Sequence, residues 1–177
     1  MTAPLLRPLR LDDMPAAAAL QNAVYAPLYH EPAEILASRV IAAPRLCWGA
    51  FVGEALTAYI LSHPWPAGSP PPIGLSLPTP PPTDNWFIHD LAIGPQAQGQ
   101  GLGRALVAAA AAAAREAGLT RGDLVAVQGA WRFWEKLGYA QPSDLPPALQ
   151  AKVAAYGEDA RYMVVNLANP NANQSQY

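Results

Sequence analysis

Between Trp86 and Ala117 an apolar run breaks into a glycine-rich turn and leaves as an alanine-rich helix. The turn reads Ile93-Gly94-Pro95-Gln96-Ala97-Gln98-Gly99-Gln100-Gly101-Leu102-Gly103-Arg104-Ala105-Leu106-Val107. Glycine lets a backbone approach a ligand closely, and a helix start offers N–H groups that have no partner inside the helix. Together with the helix dipole these donors form an anion site, suited to a phosphate or pyrophosphate. The P-loop pattern fails because no lysine lies near the turn. The dinucleotide fingerprint G-x-G-x-x-G fails too: counting from Gly99 or Gly101 puts Arg104 or Leu106 in the last place. Leu102 and Leu106, four apart on one face, start the helix near Gly101.

The rest of the chain supplies elements for one mixed sheet flanked by helices, an α/β domain spanning residues 4–168. Leu5 to Arg10 reads as a first strand and Asp12 or Asp13 as the cap of a helix running to Val24. Pro32 opens a second helix, Ala33 to Ala42. Arg45 to Val52 and Leu56 to Ser62 read as strands joined by a Gly53-Glu54 hairpin. Residues 63–83 are proline-rich and read as an irregular loop of functional or mobile character. Asp123 to Val127 is a strand, Ala130 to Leu137 a short helix, Pro142 to Tyr156 a helical insertion, and Arg161 to Leu167 a last strand. Residues 169–177 are expected to be a flexible polar tail.

Composition narrows the function. A chain of 177 residues with 51% hydrophobic content can bury one substantial core. A formal charge of −2 argues against a nucleic-acid partner and against an anionic membrane surface. The Ala108–Ala114 run is too short to span a bilayer. With a single cysteine, Cys47, no internal disulfide forms, and its apolar neighbours mark it as a small core residue. The N-terminus shows no secretory signal, so a cytoplasmic protein is expected.

The hexapeptide Gln98-Gly99-Gln100-Gly101-Leu102-Gly103 resembles the acetyl-CoA pyrophosphate loop (Gln/Arg-x-x-Gly-x-Gly/Ala) of the GNAT family of N-acetyltransferases. A register starting at Gln96 also satisfies that pattern, and the helix start favours Gln98. Phe133-Trp134-Glu135-Lys136-Leu137-Gly138-Tyr139 resembles the family's Phe/Leu-Tyr-Glu-Lys-Leu-Gly-Phe segment, in the family's order after the loop. The resemblance covers roughly Leu5 to Leu167. It implies a central mixed, mostly antiparallel sheet, and a site for acetyl-CoA made by Leu91, Ala92, Ile93, Gln98, Gly99, Gly101, Gly103 and Arg104. The short strand Leu91-Ala92-Ile93 would exchange hydrogen bonds with the pantetheine arm.

The implied reaction is acetyl transfer to a primary amine of a small molecule, without a metal, in a monomer or homodimer. It needs the amine neutral, which a histidine base can arrange. Of His30, His63 and His89, the last stands two residues before Leu91, where some family members carry a histidine. Alternation predicts that His89, Leu91 and Ile93 share a face and that Asp90 points away, capping a loop or pairing with Arg7, Arg10 or Arg39. Trp134 stands where many members have a tyrosine that protonates the leaving thiolate, and an indole N–H cannot do that. Solvent, Tyr25 or Tyr29 remain as proton sources. Tyr25, Tyr29 and Trp86 are candidates to line the acceptor site, with Glu31, Glu34 or Asp84 to attract a cationic amine. A non-catalytic acyl-CoA-binding module and acetylation of a protein amine stay open as alternatives.

Overall fold

The computed structural model describes residues 3–168. In chain order its elements are β1 (Leu5–Pro8), α1 (Met14–Val24), α2 (Ala33–Ala42), β2 (Trp48–Val52), β3 (Ala55–Pro64), β4 (Asn85–Ile93), α3 (Leu102–Glu116), β5 (Arg121–Ala126), α4 (Trp131–Glu135), α5 (Pro147–Ala154) and β6 (Arg161–Asn166). The six strands lie in sequence order across one sheet. All neighbours are antiparallel except β4 and β5, which run parallel with α3 as their connection. A long helical crossover is what a parallel pair requires.

Two apolar cores sandwich the sheet. On one face α3 buries Leu106, Val107, Ala110 and Ala114 against Ala58, Ile60, Trp86, Ile88 and Met163. Its alanines bring the helix close to the strands. On the other face α1 and α2 bury Met14, Ala17, Leu36 and Val40 against Tyr59, Leu61 and Ala92. Gly118, at φ 82°, stops α3. Its N–H bonds to Arg115 O and that of Leu119 to Ala114 O, the paired bonds of a Schellman end.

The sequence reading needs three adjustments. Asp13 does not cap α1 with its side chain; its carboxylate takes both Arg7 guanidinium nitrogens at 2.8 and 2.9 Å and the Arg10 N–H at 2.7 Å. His63 and Pro64 belong to β3, opposite Phe87 and Trp86, so the irregular segment starts at Trp65. That proline-rich segment is also tied down along its length. Gly68 N–H reaches Asp123 and Tyr162, Tyr156 OH reaches Pro71 O, Gly74 N–H reaches Glu31, and Leu77 N–H reaches Ser38. Prolines bring few donors needing partners, so a handful of bonds holds the strap. The predicted tail, 169–177, lies outside the described residues.

One irregularity sets up everything that follows. Strands β4 and β5 pair only from Asn85↔Arg121 to Ile88↔Leu124. Beyond that, β4 stays with β3 to Ile93 and β5 stays with β6 to Ala126. The sheet therefore opens into a V with its apex at Ile88 and Leu124.

Candidate active site

The glycine turn and the open V meet at the start of α3. Gly99 and Gly101 both have φ 75°, in the left-handed region, and a Cβ added to either would touch nothing within 4 Å. Gly101 caps α3, and the first bond along the helix runs from Ala105 N–H to Gly101 O. The N–H groups of Leu102, Gly103 and Arg104 thus precede the ladder, a helix start whose donors have no partner inside the helix. Gln98 and Arg104 are exposed beside it. Gly103 differs from its neighbours: a Cβ there would come within 3.2 Å of the Phe133 ring, so this glycine serves the packing of α4 on α3.

The β4 edge beside the V is open for the same reason that the sheet splays. Gly94 N–H bonds to Thr57 O at 2.9 Å, toward β3. Alternation then turns the backbone groups of Leu91 and Ile93 outward, into the cleft. The Leu91 carbonyl confirms this direction by accepting the Tyr25 hydroxyl at 2.6 Å. The cleft has a volume of about 240 Å³ and is lined from both arms of the V, by Leu91 and Ile93 on one side and Leu124 to Val127 on the other. Phe133 and Trp134 border it from α4, and Tyr25, Tyr29, Ile73 and Tyr156 from the far end.

A β-bulge overturns the predicted alternation at His89. Ser62 is opposite Ile88 and Leu61 is opposite Asp90, so His89 has no cross-strand partner on β3, and the β5 pairing has already ended. With one residue inserted, consecutive side chains 89 and 90 turn to the α1–α2 side. Leu91 and Ile93 pack with the α3 core instead, so His89 does not share their face. Asp90 pairs with no arginine. Its carboxylate accepts Gln21 Nε2 at 2.8 Å and the Tyr59 hydroxyl at 2.5 Å. Burial pushes the Asp90 carboxyl up, and the Tyr59 bond works against that rise.

His89 Nε2 lies 2.6 Å from Glu31 Oε2, with both side chains almost wholly buried. Glu31, one of the acids expected to attract a cationic amine, is buried, and its Oε1 takes the Gly74 N–H at 2.8 Å. Burial raises the Glu31 carboxyl, but the bond from His89, its charge, Gly74 and Arg39 outweigh that and hold it at about 2. Gln21 joins the two acids: its Oε1 accepts Glu31 N–H at 2.7 Å while its Nε2 serves Asp90. Sequence reasoning missed Gln21, although it sits on the buried stripe Met14–Ala17–Gln21 of α1, and a polar residue on such a stripe is a signal.

The remaining candidates fall as follows. Tyr25 and Tyr29 line the cleft, with Tyr29 OH donating to Tyr156 O at 2.6 Å. Trp86 does not: it is completely buried in the core beneath α3, because the pleat that turns Ile88 inward turns Trp86 with it. Asp84 pairs with Arg121 at the surface, and Glu34 is exposed outside the cleft. Trp134 is buried against Phe133 and Tyr139, with centroids at 5.0 and 5.2 Å, and Tyr139 is core. Cys47 is fully buried, and burial pushes its thiol up to about 12.

The model of the acetyltransferase (GNAT) family matches residues 11–139. The chain belongs to that family. Solved structures agree on the fold. Ard1 from Thermoplasma volcanium matches with a TM-score of 0.69 at 16% identity, over 93% of this chain and 98% of its own. The ribosomal-protein-S18-alanine N-acetyltransferase from Escherichia coli matches with a TM-score of 0.63 at 18% identity, over 93% and 94%. The PaiA N-acetyltransferase from Thermoplasma acidophilum, in complex with coenzyme A, matches with a TM-score of 0.65 at 13% identity, over 93% and 99%. No curated protein matches the sequence.

Proposed function

We propose that this chain transfers an acetyl group from acetyl-CoA to the primary amine of a small molecule, in one ternary complex. The observation that carries the reading is the junction of a splayed sheet edge with a glycine cradle. The cradle suits a pyrophosphate, and the outward backbone groups of Leu91 and Ile93 suit an extended amide arm. Acetyl-CoA supplies an acyl group already activated as a thioester. Everything else falls to the chain's residues. Outward N–H groups on β4 can stabilise charge on an acyl oxygen. His89 takes the proton that the amine loses as its nitrogen bonds to the acyl carbon, and the C–S electron pair leaves on sulfur. Burial holds the Tyr25 phenol well above 10 and its one hydrogen is given to the Leu91 carbonyl, so water protonates the sulfur. Cys47, buried and protonated, is no acyl carrier.

A small acceptor is favoured over a protein by the bridges that tie together the segments around the cleft. The Gln128 side chain accepts Ala26 N–H at 2.9 Å, joining the α1–α2 connection to the β5–α4 turn, and Tyr29 is fastened to Tyr156. Gln128 keeps φ 52° to do so, unusual for a residue with a side chain. The test is thiol release from acetyl-CoA over a panel of small amines and peptides. Release with amines alone supports the proposal, whereas peptides as the better substrates would sink the small-acceptor reading. Trp134, with no acidic proton, favours a second reading, an acyl-CoA-binding module. CoA binding without thiol release for any acceptor would establish that one instead.

A further inference from the structure

The two nitrogens of His89 are treated differently. Nε2 faces the Glu31 carboxylate at 2.6 Å, while Nδ1 is buried and has no hydrogen-bond partner. We propose that Glu31 is a positioning residue: it holds His89 in the Nε2–H tautomer and so leaves the Nδ1 lone pair for the proton of the acceptor amine. Only that last step rests on the transferase reading given above.

Three contacts fix Glu31. Gly74 N–H binds Oε1, the residue's own N–H is held by Gln21, and Arg39 lies 3.8 Å from Oε1. A carboxylate carries no hydrogen to share, so in neutral His89 the bridging proton belongs to Nε2. Nδ1 must then be the bare nitrogen. A buried polar atom without a partner is costly and calls for an explanation, and a ligand amine in the adjoining cleft supplies one. The other titratable groups nearby make their own bonds, although His63 Nε2 and the Arg39 Nε and Nη2 are also buried without a hydrogen-bond partner. From β4, Asp90 is held by Gln21 and Tyr59; from β3, His63, whose ring lies 6.4 Å from that of His89, bonds to Pro64 O. Arg39 of α2 donates to Ile35 and Leu75 carbonyls, Tyr25 at the end of α1 donates to Leu91, and Tyr156 beyond α5 donates to Pro71. None of them competes with Glu31 for Nε2.

When the amine proton reaches Nδ1, the ring becomes an imidazolium whose Nε2–H still faces a negative charge. The carboxylate stabilises that cation without taking its proton, and the proton later leaves from Nδ1 to water. Gly74 adds a link to specificity, since its neighbour Ile73 lines the cleft. One carboxylate therefore registers the proline-rich strap against the imidazole.

The experiment is a long-range ¹H–¹⁵N spectrum of the histidine side chains, recorded for wild type and Glu31→Gln, beside turnover with the best amine found. Glutamine keeps an oxygen for Gly74 and removes the charge. Wild-type His89 should show Nε2–H with bare Nδ1, and Glu31→Gln a mixture of tautomers. Turnover should fall about tenfold or more, with the KM for acetyl-CoA within about twofold and the acid limb of the pH profile displaced. Wild-type His89 protonated on Nδ1 overturns the proposal even if the variant fails to fold, and so does a variant with unchanged tautomer and turnover. A wild-type protein that binds acetyl-CoA but acylates nothing overturns the transferase reading, and the spectra then decide the Glu31–His89 relationship by themselves.

Discussion

Gly103 on α3 and the ring of Phe133, two residues into α4, touch so closely that a Cβ at 103 would lie 3.2 Å from the ring and 3.6 Å from Ile93. The glycines of the turn thus divide by task. Gly103→Val should lower stability by about 1–3 kcal/mol through overpacking. Gly103→Ala should come out near neutral, because alanine's better helix propensity offsets a contact the ring can relieve. Thermal melts of the pair decide this, and a Val variant as stable as wild type would show that α4 is free to shift.

Gly101 is the glycine on which the proposed pyrophosphate site depends. At φ 75° with open space around it, an added Cβ costs about 1–2 kcal/mol in backbone strain and takes up space that a bound pyrophosphate would need under the proposal. Gly53, at φ 60° and also with no neighbour, is a control that has the same strain and no role in binding. Titration calorimetry should show CoA affinity reduced in Gly101→Ala and kept in Gly53→Ala. Equal affinities in the two variants would remove the pyrophosphate from this turn.

His89→Ala should reduce turnover by about 10²–10⁴ and remove the acid limb of the pH–rate profile. The bulge spares the neighbouring pairings, so CoA binding should persist in that variant. If turnover and profile are both unchanged, His89 is a packing residue and the base lies elsewhere.

His63 makes the fold itself sensitive to pH. Burial between Trp65 and Phe87 lowers its imidazole to about 3, against an ordinary value near 6.5. Between these values the unfolded chain holds a proton that the folded one refuses, so stability falls as pH drops, by about 1.4 kcal/mol per unit. Glu31 adds its own loss at lower pH: its carboxyl is depressed to about 2, so its contribution is complete above the ordinary 4.5 and fades below it. Denaturant melts from pH 7 to pH 4 should show the slope in wild type and a flatter one in His63→Phe. Parallel slopes would mean that His63 protonates in place.

The glycine turn, the strand before it and the helix after it were legible because each depends on local chemistry: positive φ, apolar runs, and a helix start. The family resemblance pointed to the same loop. The interior of the site was not legible, and two residues show why. Trp86 looked like a cleft aromatic, but which way it faces depends on sheet register, a non-local quantity. Glu31 read as an acid to attract an amine, and only the strap arriving from residue 74, with α1 and β4 beside it, makes it a buried partner of His89. Alternation also predicted the wrong side for His89, since one inserted residue reverses everything that period-two counting says beyond it.

That inserted residue has a consequence for how this site can change over evolution. Asn85 is registered by β5, Trp86–Ile88 by β5 and β3, and Asp90–Ile93 by β3 alone, while position 89 answers to neither ladder. A different side chain there leaves every strand pairing intact. The proposed base thus stands at a point of β4 that no ladder holds, so a replacement at 89 must answer to the buried Glu31 carboxylate and not to the register of the sheet.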